Sequence, residues 1–169
     1  MAATPEQREA FVAALCAPEL ADIVDLVCWV QDDPEGRRAY GANSVGRVRF
    51  HVDAPAEVIA GDNPIGSEDP LAFLPYDREL SDPSPARSTT NAYPMAATRL
   101  LSFFANPDRS PDLAIVHTPR HFFPDEGGHV GEHGSLDVIQ SRAPFILSGA
   151  GVRRLGHVDD VAPLVDVGP

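Results

Sequence analysis

Several things are scarce in this chain, and each scarcity narrows what it can do. There are two cysteines, Cys16 and Cys28, and no Cys-x-x-Cys pair. Such usage reads as two buried reduced thiols in preference to a disulfide. Basic residues are few: 13 Lys and Arg face 25 Asp and Glu, for a net charge of -12. That balance argues against a nucleic-acid partner, whose binding rests on cationic side chains neutralising phosphate. A small phosphorylated substrate stays compatible, because a bound dication reverses the sign locally. Long apolar runs are missing too. The stretch around Ile23 to Val30 is broken by Asp25 and is too short to span a bilayer. No charged leader followed by an apolar core opens the chain, so neither a signal peptide nor a membrane segment is expected, and localisation stays open. There is no Gly-x-Ser-x-Gly elbow, no Gly-x-x-x-x-Gly-Lys loop and no Gly-x-Gly-x-x-Gly turn.

What is present suits one domain of ordinary size. The 169 residues are 43% apolar, enough for a core, while 17 prolines and 13 glycines imply many turns and few long helices. Thr4-Pro5-Glu6-Gln7 has the form of a capping box, so a helix is expected from there to near Pro18. Ile23 to Val30 reads as a mostly buried strand and Asp32 to Gly36 as a turn. Arg47 to Val52 alternates, giving a strand with one wet face, paired with Arg37 to Tyr40 across Gly41 to Gly46. Glu57 to Ala60 is a further extended piece. The proline-rich stretch 62–93 reads as a long surface loop. Pro94 to Ala105 predicts a helix ended by Asn106-Pro107. Asp112 to His117 and Phe145 to Leu147 read as buried strands, with Ser135 capping a helical turn through Gln140 between them. This order predicts an α/β sheet with a small antiparallel annex.

Four of the six histidines, His117, His121, His129 and His133, crowd the segment after the Leu113 to Val116 run, together with Asp125, Glu126 and Glu132. Zinc takes three or four ligands drawn from imidazole, carboxylate and thiolate. Gly127, Gly128, Gly131 and Gly134 argue against a helix here and let a loop present the side chains. A local site could join Asp125 or Glu132 to two histidines. The bland alternative is a polar surface loop whose histidines only bond backbone. His117, at a strand end, is as readily structural as functional. His51 reads as a solvated strand residue and His157 as surface.

The runs Ser110-Pro-Asp-Leu-Ala-Ile-Val-His117, Gly131-Glu-His-Gly-Ser135, Arg142-Ala-Pro-Phe-Ile-Leu-Ser-Gly-Ala-Gly-Val152 and Val165-Asp-Val-Gly-Pro169 resemble late segments of the alkaline phosphatase superfamily, of the nucleotide pyrophosphatase/phosphodiesterase type. They look like its penultimate core strand, its late His-Gly motif, its next strand with a glycine turn, and its closing segment. The resemblance is specific over about 110–169. It is looser over 20–105, where the Val24 to Trp29 strand and Asn91-Ala-Tyr-Pro94 fall in a shared order.

That resemblance implies a three-layer α/β/α fold of which this chain is the C-terminal part. Residues 1–169 would form one partial domain, with a strand and loop region at 20–105 and core strands plus the histidine loop at 106–169. It implies hydrolysis of phosphate esters with two divalent metals, usually zinc. Position by position, only His133 matches a family metal ligand. His129, Asp125, Glu132 and His117 would lie beside the metal or face substrate. The family's nucleophile and its Asp-His-Gly motif have no counterpart here, so no catalytic residue is assigned. The expectation is a piece of a hydrolase, completed by a missing N-terminal part of the same enzyme. The alternatives are a non-catalytic metal-binding or interaction module and an inactive fragment.

Overall fold

A computed structural model describes residues 3–69, 92–106, 108–118, 121, 135–141, 143 and 145–158. Helix α1, Pro5–Leu15, begins as its sequence requires. The Thr4 hydroxyl accepts from Gln7 N at 3.3 Å, and Thr4 N donates to Gln7 Oε1 at 2.9 Å, which closes the capping box. A 3-10 turn at Pro18–Leu20 leads into four strands in succession. They are β1 (Val24–Asp33), β2 (Gly36–Ala42), β3 (Gly46–Phe50) and β4 (Glu57–Gly61). Helix α2, Ala96–Phe103, precedes β5 (Ala114–His117), and a short helix α3, Val138–Ser141, follows.

The strands form one sheet in the order β4-β3-β2-β1-β5, and every neighbouring pair is antiparallel. This overturns the three-layer α/β/α expectation. A parallel core sheet needs crossover helices between its strands, and β1 to β4 are instead joined by short turns. What was expected as a small annex is most of the sheet. The two longer helices, α1 and α2, each contact the sheet separately.

The pleat sends alternate side chains to two cores. Val27, Trp29, Tyr40 and Ala42 face α1 and pack with Val12. Trp29 and Tyr40 stack with centroids 5.5 Å apart, and the Arg47 guanidinium lies over the indole. Leu26, Cys28, Ala39, Val48 and Phe50 face α2, meeting Tyr93, Ala96, Ala97, Leu100 and Phe104. The alternation of β1 breaks at one point. Val24 belongs to the α1 side and Leu26 to the α2 side, with the register against β5 slipping between them. The extra residue of this bulge is Asp25.

Several local expectations fail. The Asp112 to His117 run is not a buried strand: it forms the edge strand β5, with Ile115 39% exposed. Phe145 to Leu147 is not a strand: Ile146 is 81% exposed and its two neighbours are exposed as well. Ser135 does not cap α3; Asp137 does, its Oδ1 accepting from Gln140 N at 3.1 Å. The 62–93 stretch is not all surface loop, since Ile65 is buried and Ser67 bridges to Ala92; residues 70–91 lie outside the described residues. The pairing of β2 with β3 is as expected.

Candidate functional site

The C-terminal end of β5 lies beside the N-terminal end of β1, with Val24 opposite His117. The histidine-rich segment therefore leaves the sheet next to the bulge that carries Asp25. Thr118, fully buried, organises the exit. Its N–H donates to Ile23 O at 2.9 Å and its hydroxyl to Asp22 O at 3.0 Å. Its carbonyl accepts from His121 N and lies 2.9 Å from His117 Nδ1. Its Oγ1 lies 2.9 Å from His121 Nδ1.

These contacts constrain the imidazole tautomers. A carbonyl oxygen only accepts, so His117 Nδ1 carries the proton. The Thr118 hydroxyl lies between Asp22 O and His121 Nδ1, and when its proton points to Asp22 O it accepts from His121 Nδ1. Metal-bound histidines are commonly held by donation from the other ring nitrogen to an oxygen acceptor.

Two aspartates are buried in this half of the molecule. Asp25 and Asp137 are 3% and 0% exposed. The bulge turns Asp25 toward the α2 side, where the Tyr93 hydroxyl donates to its Oδ2. Asn43 Nδ2 donates to Asp25 O at 3.1 Å and to Pro64 O at 3.2 Å, fastening the β2–β3 turn to the same spot. The other end of the histidine segment is held by Arg99 of α2, which donates to Leu136 O at 2.6 Å and Ser135 O at 2.8 Å. Burial lowers the guanidinium pKa, and the Asp137 charge opposes that shift. Val116 and Leu136 share one core cluster, so both ends of the segment are anchored on the same apolar base.

His117 is half-buried at the end of β5, and His121 is half-buried beyond it. His133, His129, Asp125 and Glu132 lie outside the described residues. Among the described residues no group of three or more His, Cys, Asp and Glu is placed to hold a metal. Imidazole is a donor type that zinc takes, but His117 and His121 alone would supply only part of a ligand set. His51 stands just past β3, its Nε2 3.5 Å from Glu57 Oε2, and His157 is exposed. His157 lies at the surface as expected, whereas His51 is not the solvated strand residue that the sequence suggests: it falls outside the strand and is only partly exposed.

The sequence reading missed Thr118, Asp25, Tyr93, Arg99 and Asp137. One signal was available: an aspartate inside an otherwise apolar strand is either buried with a partner or out of place. Nothing local marks Thr118, whose role depends on β1 lying alongside.

A separate cleft of about 550 Å³ lies between the 51–56 connection, residues 63–69 and the first turn of α2. Glu68 is part of its wall and accepts from Ala56 N at 2.6 Å. Burial raises the carboxyl pKa, partly offset by that hydrogen bond. Among the described residues no helix is long and apolar enough to cross a membrane. No protein-family model matches the chain, and neither a curated protein nor a solved structure matches it.

Proposed function

We propose that the chain takes part in metal-dependent hydrolysis of phosphate esters, with His133 as a ligand of a zinc ion. The observation that carries the reading is the Thr118 hub. It lies at the start of the segment that holds His129 and His133, with the Nδ1 atoms of His117 and His121 each 2.9 Å from a Thr118 oxygen. The resemblance of the 110–169 motifs supports the chemistry. It does not bring its three-layer fold, because the sheet is antiparallel. A metal would also offset the acidic surface that otherwise repels an anionic substrate. His129, Asp125, Glu132 and His117 would surround the metal or face the substrate.

The test is turnover of a nitrophenyl phosphate monoester and diester by the purified chain, with zinc, with chelator, and with His133→Ala. Zinc-dependent turnover that falls at least about a hundredfold in the variant supports the reading. Turnover unchanged by chelator or by the substitution overturns it.

One observation favours a second reading, a metal-binding module without catalysis. The sheet builds apolar cores on both faces from its own residues, α1 and α2, so a metal could serve the fold alone. Stoichiometric zinc that raises the unfolding temperature, with no turnover, would favour this reading over the first.

A further inference from the structure

The cleft between the 51–56 connection, residues 63–69 and the first turn of α2 has a chemistry that the zinc reading does not use. Its lining is apolar at Val52, Pro55, Ile65 and Met95, and acidic at Asp53, Glu68 and Asp69, with His51 beside them. Glu68 is half-buried, and burial raises its carboxyl pKa. A cation placed beside it would favour the ionised form. The cleft measures about 550 Å³, a size that takes several large side chains or one drug-sized group. The occupant that fits is therefore apolar and positively charged.

The chain itself carries such a stretch. Residues 145–158 hold Arg153 and Arg154 and no Asp or Glu; those two charges, against -12 for the whole chain, leave -14 on the rest. Phe145, Ile146, Leu147, Leu155 and Val158 are each more than half exposed, and no residue of the stretch lies in a helix or strand. A turn in which Val152 N donates to Gly149 O at 3.2 Å separates the Phe145 to Leu147 arm from the arginines. Gly149 and Gly151 hold that turn at φ 128° and 87°. The cleft is open and the stretch is exposed in one and the same chain, so the stretch does not fill its own cleft. A second copy offers the same cleft.

We propose that residues 145–158 of one copy dock in the cleft of another, the apolar arm on its apolar lining and Arg153 and Arg154 facing Asp53 and Asp69. Mutual exchange of the stretch gives a closed twofold dimer. At about 0.15 M salt the general repulsion between acidic copies is screened beyond about 8 Å, and charge pairs partly buried in the contact are screened much less. The proposal is independent of the zinc reading.

The test is molar mass by light scattering over a dilution series of the full chain at that salt, with circular dichroism as the folding check. The wild type should rise from 18.1 kDa toward twice that mass with concentration. Arg153→Glu with Arg154→Glu reverses the charge of the stretch, and Asp53→Arg with Asp69→Arg reverses that of the cleft. All four side chains are exposed, so both variants should fold. Each alone should stay at 18.1 kDa. Their equimolar mixture should dimerise again, because it pairs a native stretch with a native cleft and a reversed stretch with a reversed cleft. A wild type that stays monomeric throughout overturns the proposal. So do reversals that leave association unchanged, or a mixture that stays monomeric.

Discussion

Asp25 shows how one residue can set the character of a region. A carboxylate in an apolar strand costs several kcal/mol unless its oxygens are satisfied. Here the bulge rotates it out of the α1 core and toward the Tyr93 hydroxyl. Removing that hydroxyl by Tyr93→Phe takes a donor from a buried acid, and about 1.5–3 kcal/mol of stability should go with it. Asp25→Asn keeps the shape and an acceptor, and it removes the charge. If the two residues act as a pair, the double variant should cost less than the sum of the singles, with a coupling of about 0.5–3 kcal/mol. Urea unfolding followed by the fluorescence of Trp29, the sole tryptophan and 1% exposed, reads all four proteins. Additive losses would mean that the Tyr93–Asp25 bond contributes nothing of its own.

At the scale of elements, legibility followed the range of the forces involved. The capping box of α1 is a contact between residues three apart, so Thr4 and Gln7 announced it. The β2–β3 pair was legible from the alternation of Arg47 to Phe50, since a two-residue period is a local property. The Phe145-Ile-Leu147 run shows the opposite. Three consecutive apolar residues carry no period, and burial was inferred from composition alone. The antiparallel partner of β5 was illegible for a related reason: β1 lies some 90 residues earlier, and strand direction leaves no mark on an apolar run. Of the candidate site, the run of histidines is visible in the sequence, whereas the contacts of Thr118 with the 22–23 backbone are not. Gly41 falls on the illegible side too. It looked like the start of a turn but lies inside β2, opposite Cys28 and Val48. A Cβ there would come 2.9 Å from the Phe50 ring and 3.1 Å from a Leu26 methyl, both buried. Gly41→Ala should therefore cost about 1–3 kcal/mol by overpacking, although alanine suits a strand better than glycine. A neutral or stabilising Gly41→Ala in the same urea assay would show that the α2-side core has slack at this point.

At the scale of the whole molecule, two opposing surface properties decide how copies behave toward one another. A net charge of -12 keeps them apart. Against this, Phe145, Ile146, Leu147, Leu155 and Val158 are each more than half exposed within one stretch of chain. Charge repulsion between copies shortens with salt, from a range of about 10 Å at 0.1 M to about 3 Å at 1 M, whereas apolar attraction does not weaken. Light scattering by the wild type should therefore rise with sodium chloride, and Ile146→Asp should flatten the rise. The same variant tests the placement of the segment. An aspartate at a surface position changes stability by no more than about 0.5 kcal/mol. At the centre of a buried strand, as the sequence alone suggests for this residue, it would strand an unpaired charge in the core at a cost of several kcal/mol. A cooperative unfolding transition at unchanged urea concentration is the expected result. A variant that no longer unfolds cooperatively would return Phe145 to Leu147 to the core.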